Sequence, residues 1–246
     1  MRIDVNCDMG ESFGRYSLGN DEKVMPLITS ANVACGLHAG DPVVMQATIR
    51  LAKQNGIAVG AHPSWPDLQG FGRREMTMPP EEVESLVQYQ IGTLAGIAKV
   101  NGVSLSHVKP HGALYNQAAK DTGLAEAIAR AVHGFDKDLI LIGLAGSVLV
   151  AAGREIGLRV ANEGFPDRRY NPDGTLVSRN QAGAIIEAPE EVAAHAVKLA
   201  TEGIDFAGIR VQVETLCLHG DNPRAAENAR MVREALRGNG VEMRAL

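Results

Sequence analysis

Cysteine is scarce in this 246-residue chain: Cys7, Cys35 and Cys217 are an odd number with no metal-type spacing. That suits free thiols in a reducing cytosol rather than a disulfide framework. No basic cluster stands out among 24 basic and 29 acidic residues, and the net charge is -5, which argues against a nucleic-acid partner. The uncharged run Leu139–Gly153 is too short to span a bilayer and is broken by Gly143 and Gly146, so it reads as strand, turn, helix. The opening Met1-Arg-Ile-Asp-Val-Asn6 holds no apolar signal segment, and a cytoplasmic location without membrane contact is the expectation. Neither Gly-x-x-x-x-Gly-Lys-Ser/Thr nor Gly-x-Gly-x-x-Gly after a strand is present. A P-loop or dinucleotide-type cofactor site is therefore not expected, and any nucleotide must be met by another device. Linkers, low-complexity segments and sequence-level repeats are missing too, so one domain over residues 1–246 is expected.

What is present begins with Asp4-Val-Asn-Cys-Asp-Met-Gly-Glu-Ser-Phe-Gly-Arg-Tyr16, a strand running into a glycine-punctuated polar loop. Successive strand side chains point to opposite faces, so Ile3 and Val5 share one face and Asp4, Asn6 and Asp8 the other. Such a strand needs an apolar layer on one side and a polar cavity on the other. The arrangement recurs. Val33, Cys35 and Leu37 oppose Asn32, Gly36 and His38; Ile57, Val59 and Ala61 precede His62; His107, Lys109 and His111 share a parity that Pro110 interrupts. Helices are expected over Asp21–Ile28, Pro42–Asn55, Pro80–Asn101, Thr122–His133, Ser147–Ile156, Pro189–Thr201 and Pro223–Arg237, with Asp41 and Asn222 as N-caps and Gly56 and Gly157 as stops. The last strand is expected within Ile209–Leu218. A long loop, Glu163–Arg179, carries Phe165, Tyr170 and Leu176, which argue for order.

Strand, polar loop and helix alternate about seven times, which implies parallel strands with right-handed crossovers. A polar face opposite each strand's helix-facing aliphatics favours a closed barrel over a doubly wound sheet. The carboxyl ends of barrel strands carry the active site. Asp8, Glu11, His38, His62, Lys109, His111, Glu163, His219 and Asp221 all fall at such ends. Parity and placement assign Asp8, His62, Lys109 and His111 to the reacting centre. An acid with several histidines suits a divalent metal, yet no His-Glu-x-x-His or His-x-His spacing occurs and no residue is assigned as a metal ligand. The same groups suit acid–base chemistry. The pairs Arg73–Arg74 and Arg168–Arg169 suit carboxylate or phosphate recognition. Cys7 and Cys35 have helix-facing parity and are expected to be buried. His133 and His195 lie inside expected helices and are given no role.

Asp4-Val-Asn-Cys-Asp-Met-Gly-Glu-Ser-Phe-Gly14, Ala31-Asn-Val-Ala-Cys-Gly-Leu-His-Ala-Gly-Asp41, Gly60-Ala-His-Pro-Ser64, Gly70-Phe-Gly-Arg-Arg74, Val108-Lys-Pro-His-Gly-Ala-Leu-Tyr115 and Cys217-Leu-His-Gly-Asp221 closely resemble the LamB/YcsF family, over essentially the whole chain. The resemblance implies a distorted TIM-like α/β barrel related to the glycoside hydrolase/deacetylase superfamily. It implies ATP as co-substrate in opening 5-oxoproline (pyroglutamate) to glutamate, in company with 5-oxoprolinase subunits B and C. An acidic lactam wants a cationic clamp, for which the arginines and Lys109 are available, and Glu11, His38, Arg73, Glu163, Arg168, His219 and Asp221 are expected to bind substrate around the centre. Two alternatives stay open: a metal-dependent amidase or deacetylase, and a non-catalytic lactam-binding subunit.

Overall fold

The computed structural model of the chain describes residues 1–177, 181–206, 208–220 and 224–246. Its strands are β1 (Arg2–Met9), β2 (Ser30–Ala34), β3 (Ala58–His62), β4 (Leu105–Val108), β5 (Ile140–Leu144), β6 (Arg159–Gly164), β7 (Ile204–Phe206), β8 (Ile209–Val211), β9 (Thr215–Leu218) and β10 (Glu242–Met243). β1 to β6 follow one another in parallel, and β9 pairs with both β6 and β1. This closes a seven-stranded parallel barrel, as the alternation of parities requires. β10 adds a short parallel pairing at the start of β1.

The helices are α1 (Asp21–Val24), α2 (Pro42–Asn55), α3 (Pro80–Val100), α4 (Gly112–Ala118), α5 (Thr122–Phe135), α6 (Val148–Glu155), α7 (Pro189–Glu202) and α8 (Ala225–Gly238). Local chemistry sets their ends. The Asp41 carboxylate accepts from the amides of Val43 and Val44, Pro42 supplies a preset first residue, and Gly56 in the left-handed region stops α2. Asp121 and Ser147 cap α5 and α6 in the same way. Ile3, Val5, Cys7 and Met9 on the outer face of β1 join the core beneath the helices, and α3 packs on α5 as α7 does on α8.

Three expectations need correction. The Asp21–Ile28 helix is one α turn, then a 3-10 turn at Met25–Leu27, because Pro26 removes an amide and restricts its neighbour. The last barrel strand, β9, lies within the expected Ile209–Leu218 span, and β8 at the start of that span pairs with β7 as a separate antiparallel hairpin. β2 stops at Ala34, so His38 lies in a loop rather than at a strand end. Beyond Pro110 the chain does not stay extended but enters α4 at Gly112. Asp221 and the expected Asn222 cap lie outside the described residues. Among the described residues, no helix is long and apolar enough to cross a membrane.

Candidate active site

The barrel interior is polar on the side of β1, β2, β4 and β9. At its base the buried Asp4 carboxylate accepts from Thr29 and Ser30 hydroxyls, both at 2.6 Å, and from Thr215. One layer up, Asn6 Nδ2 donates to Glu163 Oε1 at 2.9 Å and Thr215 Oγ1 at 2.7 Å, and Asn32 Nδ2 donates to Asn6 Oδ1 and Asp8 Oδ1 at 2.7 and 2.9 Å. Ile140, Ile142 and Ala161 line the apolar side. His107 crosses the interior. Its Nε2 lies 2.8 Å from Asn32 Oδ1, and its Nδ1 accepts from Ser106. Burial, then the Lys109 charge, pushes His107 down to about 3, so the ring is neutral. Gly60 makes room for it: a Cβ there would lie 2.1 Å from His107 Cδ2.

At the mouth, Lys109 Nζ reaches Asp8 Oδ1 (3.1 Å), Glu163 Oε1 (3.0 Å), Asn6 Oδ1 (3.1 Å) and Cys217 Sγ (2.9 Å). Burial alone would discharge the amine, but Asp8 first, then Cys217 and Glu163, hold its pKa well above the ordinary lysine value. Burial would likewise protonate Asp8, yet His62 and Lys109 hold its carboxyl well below the carboxylate range. A charged ammonium thus sits, buried, between two carboxylates.

Four more groups complete this side. His62 Nδ1 lies 2.7 Å from the Lys109 carbonyl and His111 Nε2 lies 2.9 Å from the Phe71 carbonyl. A carbonyl only accepts, so those nitrogens carry the protons. The remaining nitrogens, His62 Nε2 and His111 Nδ1, face each other at 3.0 Å. Two lone pairs at that distance need a proton or a cation between them. Glu11 Oε1 stands 3.5 Å from His111 Nδ1 and 3.3 Å from His38 Nε2, and His38 stacks on His111 with centroids 3.9 Å apart. Burial, reinforced by the neighbouring histidines, holds both His38 and His111 well below the ordinary imidazole value. Donor atoms of Glu11, His38, His62 and His111 all lie within 4.8 Å of one another. His38 Nδ1, buried, has no hydrogen-bond partner among the described residues.

Phe71, between Gly70 and Gly72, is the non-glycine residue with positive φ (56°) among the described residues. A left-handed conformation costs an L-residue about 1–2 kcal/mol, a strain that surrounding structure must impose.

Across the mouth, His219 Nδ1 is 2.6 Å from Asp167 Oδ2, and Phe165 stacks on the His219 ring at 5.7 Å. The Glu163–Arg179 loop is ordered where it is described, with bridges Arg168–Ile185 and Tyr170–Leu176. Arg168 is buried, its Nη2 donating to the Val177 carbonyl at 2.6 Å. Asp8, His62, Arg73, Lys109, His111, Arg168 and His219 line one cavity of about 540 Å³, whose apolar wall is Tyr115, Leu144, Phe165 and Leu176. The Tyr115 hydroxyl and Glu163 Oε2 are buried and make no hydrogen bond of ordinary geometry among the described residues. Burial, then the Glu163 charge, raises the phenol well above its usual value, keeping it protonated.

Every described residue expected at the site therefore stands around this mouth: Asp8, His62, Lys109 and His111 at its centre, Glu11 and His38 behind the imidazoles, Glu163 beneath Lys109, and Arg73, Arg168 and His219 on the walls. Arg74 and Arg169 turn elsewhere, to Asp67 and to Gly183 and Glu191. Sequence reading missed Asp167, Phe71, Tyr115, Phe165, Asn32 and His107. The parity of His107 with Lys109 was a usable signal; Asp167 and Phe71 sit in loops and gave none.

A model of the LamB/YcsF family matches residues 3–246. A protein from Methylococcus capsulatus, named as the A subunit of 5-oxoprolinase, is 56% identical over 248 residues, covering 99% of this chain and 95% of that protein. One of the same name from Pyrococcus furiosus is 53% identical over 247 residues, covering 99% and 97%. The crystal structure of a lactam utilization protein from Thermus thermophilus superposes with a TM-score of 0.93 at 48% identity, covering 100% of both chains. A putative cellobiose-phosphate cleavage protein from Enterococcus faecalis (TM-score 0.60, 13% identity, 98% of this chain and 96% of that one) shares the fold alone. By its matched length, its full-length relatives and its barrel, the chain belongs to the LamB/YcsF family.

Proposed function

We propose that this chain is the lactam-opening subunit of an ATP-dependent 5-oxoprolinase, working with subunits B and C to convert 5-oxo-L-proline to L-glutamate. The observation that carries the reading is the meeting of Asp8, His62, Lys109 and His111 at one mouth of a cavity large enough for the lactam. Relatives that bear the names of the 5-oxoprolinase A subunit and of a lactam utilization protein support the substrate. Opening adds water across the ring C–N bond, hydroxyl to the carbonyl carbon and hydrogen to the nitrogen. The Lys109 ammonium is placed to stabilise the oxyanion that forms. Asp8, held ionised, orients the water. The facing nitrogens of His62 and His111 take its proton, because a proton between them removes their lone-pair conflict and is stabilised by Asp8 and Glu11. The same pair then returns that proton to the leaving nitrogen, while His219, its Nδ1–H held by Asp167, stands on the facing wall. Arg168 and Arg73 receive the substrate carboxylate, and the ring methylenes lie on Phe165, Leu144 and Tyr115.

A stable lactam amide needs coupling to ATP to be opened usefully. With no P-loop in this chain, the nucleotide is assigned to the assembled subunits. Reconstituting the three subunits and assaying each omission for ADP and glutamate tests this. Loss of both products whenever this chain is omitted, and full glutamate release only with all three present, is expected. Glutamate formation unaffected by omitting this chain would refute the reading.

One observation favours a second reading, metal-assisted amide hydrolysis. Glu11, His38, His62 and His111 fit a divalent ion by donor type and spacing, and the carbonyl-fixed tautomers of His62 and His111 leave two ligand nitrogens aimed at one point. Bound there, a metal would polarise a carbonyl or lower the pKa of a bound water. Stoichiometric zinc or another divalent ion in purified protein, with chelator-sensitive activity, would select this reading.

A further inference from the structure

We infer that Phe71 is a positioning residue: its backbone carbonyl and its ring together fix the tautomer and the seat of His111. The inference rests on the proposed role of His111 in the reacting centre.

The observations converge from both halves of the residue. Phe71 occupies the left-handed region although a glycine stands on either side of it in the chain. A turn alone would be served by placing a glycine there; a phenylalanine is held there for its side chain. The ring meets both imidazoles edge-on, His38 with centroids 5.5 Å apart and His111 at 5.3 Å. The Arg73 guanidinium lies over the same ring, 5.2 Å from its centre. The left-handed backbone turns the Phe71 carbonyl onto His111 Nε2 at 2.9 Å. The loop cannot drift from that aim. Gly72 donates to the Asp67 carbonyl, Arg73 to the Gly70 carbonyl, and Ala113 of α4 to the Gly72 carbonyl, all within 3.0 Å. Gly72 lies so close that a Cβ on it would stand 2.8 Å from His111 Cδ2. The carbonyl thereby places the His111 proton on Nε2 and leaves Nδ1 bare toward His62 and Glu11. Carbonyl partners of this kind set which imidazole nitrogen is available for chemistry.

The test compares Phe71→Tyr, Phe71→Gly and Phe71→Asn in the full chain. Nitrogen-15 spectra of the imidazoles, recorded at mildly alkaline pH, report which nitrogen carries each proton, with His111 assigned by difference against His111→Asn. The parent and Phe71→Tyr should show the Nε2-protonated form of His111. Phe71→Gly frees the backbone, and should show a mixture of both tautomers with an unchanged far-ultraviolet circular dichroism spectrum. In the three-subunit assembly its turnover should fall about 10- to 100-fold, the usual cost of losing such a partner, while Phe71→Tyr stays within about threefold of the parent on the same grounds. Asparagine tolerates the left-handed region but lacks the ring. Phe71→Asn should therefore give an intermediate loss, and it keeps the test alive if the glycine variant fails to fold. A His111 tautomer unchanged in both Phe71→Gly and Phe71→Asn would overturn the inference, whatever the turnover. A shifted tautomer with parental turnover would uphold the positioning role and remove His111 from the reacting centre instead.

Discussion

Asp8 faces Asn32, Lys109 and His62 at 2.9, 3.1 and 3.3 Å, and each contact needs its negative charge or its acceptor oxygens. Asparagine has the same shape without the charge. Asp8→Asn in the three-subunit assembly should cost about 10²- to 10⁴-fold in turnover, as should His62→Ala. His133→Ala on the exposed side of α5 should be silent; glutamate release and thermal melting of the three variants decide the matter. Parental turnover in folded Asp8→Asn and His62→Ala would remove both from the centre. His107 carries a pH dependence of its own. Its value falls from about 6.5 in the unfolded chain to about 3 in the barrel. The unfolded chain binds the extra proton, so the neutral ring's stability is fully present above about pH 6.5 and is lost as pH falls toward 3. Melting temperatures between pH 7 and 4 should therefore drop more steeply in the parent than in His107→Gln, whose amide donates to Asn32 without titrating.

Elements place these residues by a shared device: strands end at the mouth and the loops that follow carry side chains back over it. β3 ends at His62, and the Pro63–Arg74 loop brings Phe71 and Arg73 over α4. β4 ends at Val108, and Lys109 and His111 follow before α4 begins. β6 ends at Gly164, with Glu163 facing in and Phe165, Asp167 and Arg168 rising as the opposite wall. Register between β3 and β4 depends on a missing side chain, since Gly60 pairs with His107 across the ladder while leaving its ring room. Gly60→Ala should destabilise by about 1–3 kcal/mol through overpacking. Gly60→Ala combined with His107→Ala should cost less than the sum of the two single changes, because the added methyl then enters vacated space. Additive losses in chemical denaturation would show that Gly60 is required for its backbone rather than for the His107 ring.

Across the whole molecule, barrel closure joins residues far apart in the chain. Asp4 pairs with Thr215 and Cys7 with Leu218. That pairing brings Cys217 onto Lys109 and the loop after β9, with His219, beside the loop after β6, with Asp167. The result is one continuous cavity with a charged interior end and an apolar wall. Under the proposed function, a chain whose sequence carries no P-loop motif is expected to depend on partner subunits for the nucleotide. The isolated chain should release little or no glutamate with ATP and 5-oxoproline, and adding subunits B and C should restore release. Rapid ATP-dependent glutamate formation by the chain alone would contradict this.

The sequence by itself determined the barrel, its seven alternating strand–helix units and most of the candidate site. Strand parity is local and has a period of two, so Asp4, Asn6 and Asp8 declare a polar interior face before any partner is known, and strand-end placement then groups Asp8, His62 and Lys109. Helix limits were legible where a side chain acts on its own backbone, as Asp41 and Gly56 do for α2. Tertiary structure alone decided the rest. His38 reaches the imidazole cluster from a loop, whose path no periodicity reports. Asp167 becomes the partner of His219 only because β6 and β9 are neighbours in the closed barrel, a contact 52 residues apart in sequence. Within Ile209–Leu218 the structure gives Ile209–Val211 to the β7–β8 hairpin and Thr215–Leu218 to the barrel, a division that strand periodicity does not mark. Phe71 takes a conformation that its residue type disfavours, imposed by the packing of its loop on α4 and visible only when the two stand together.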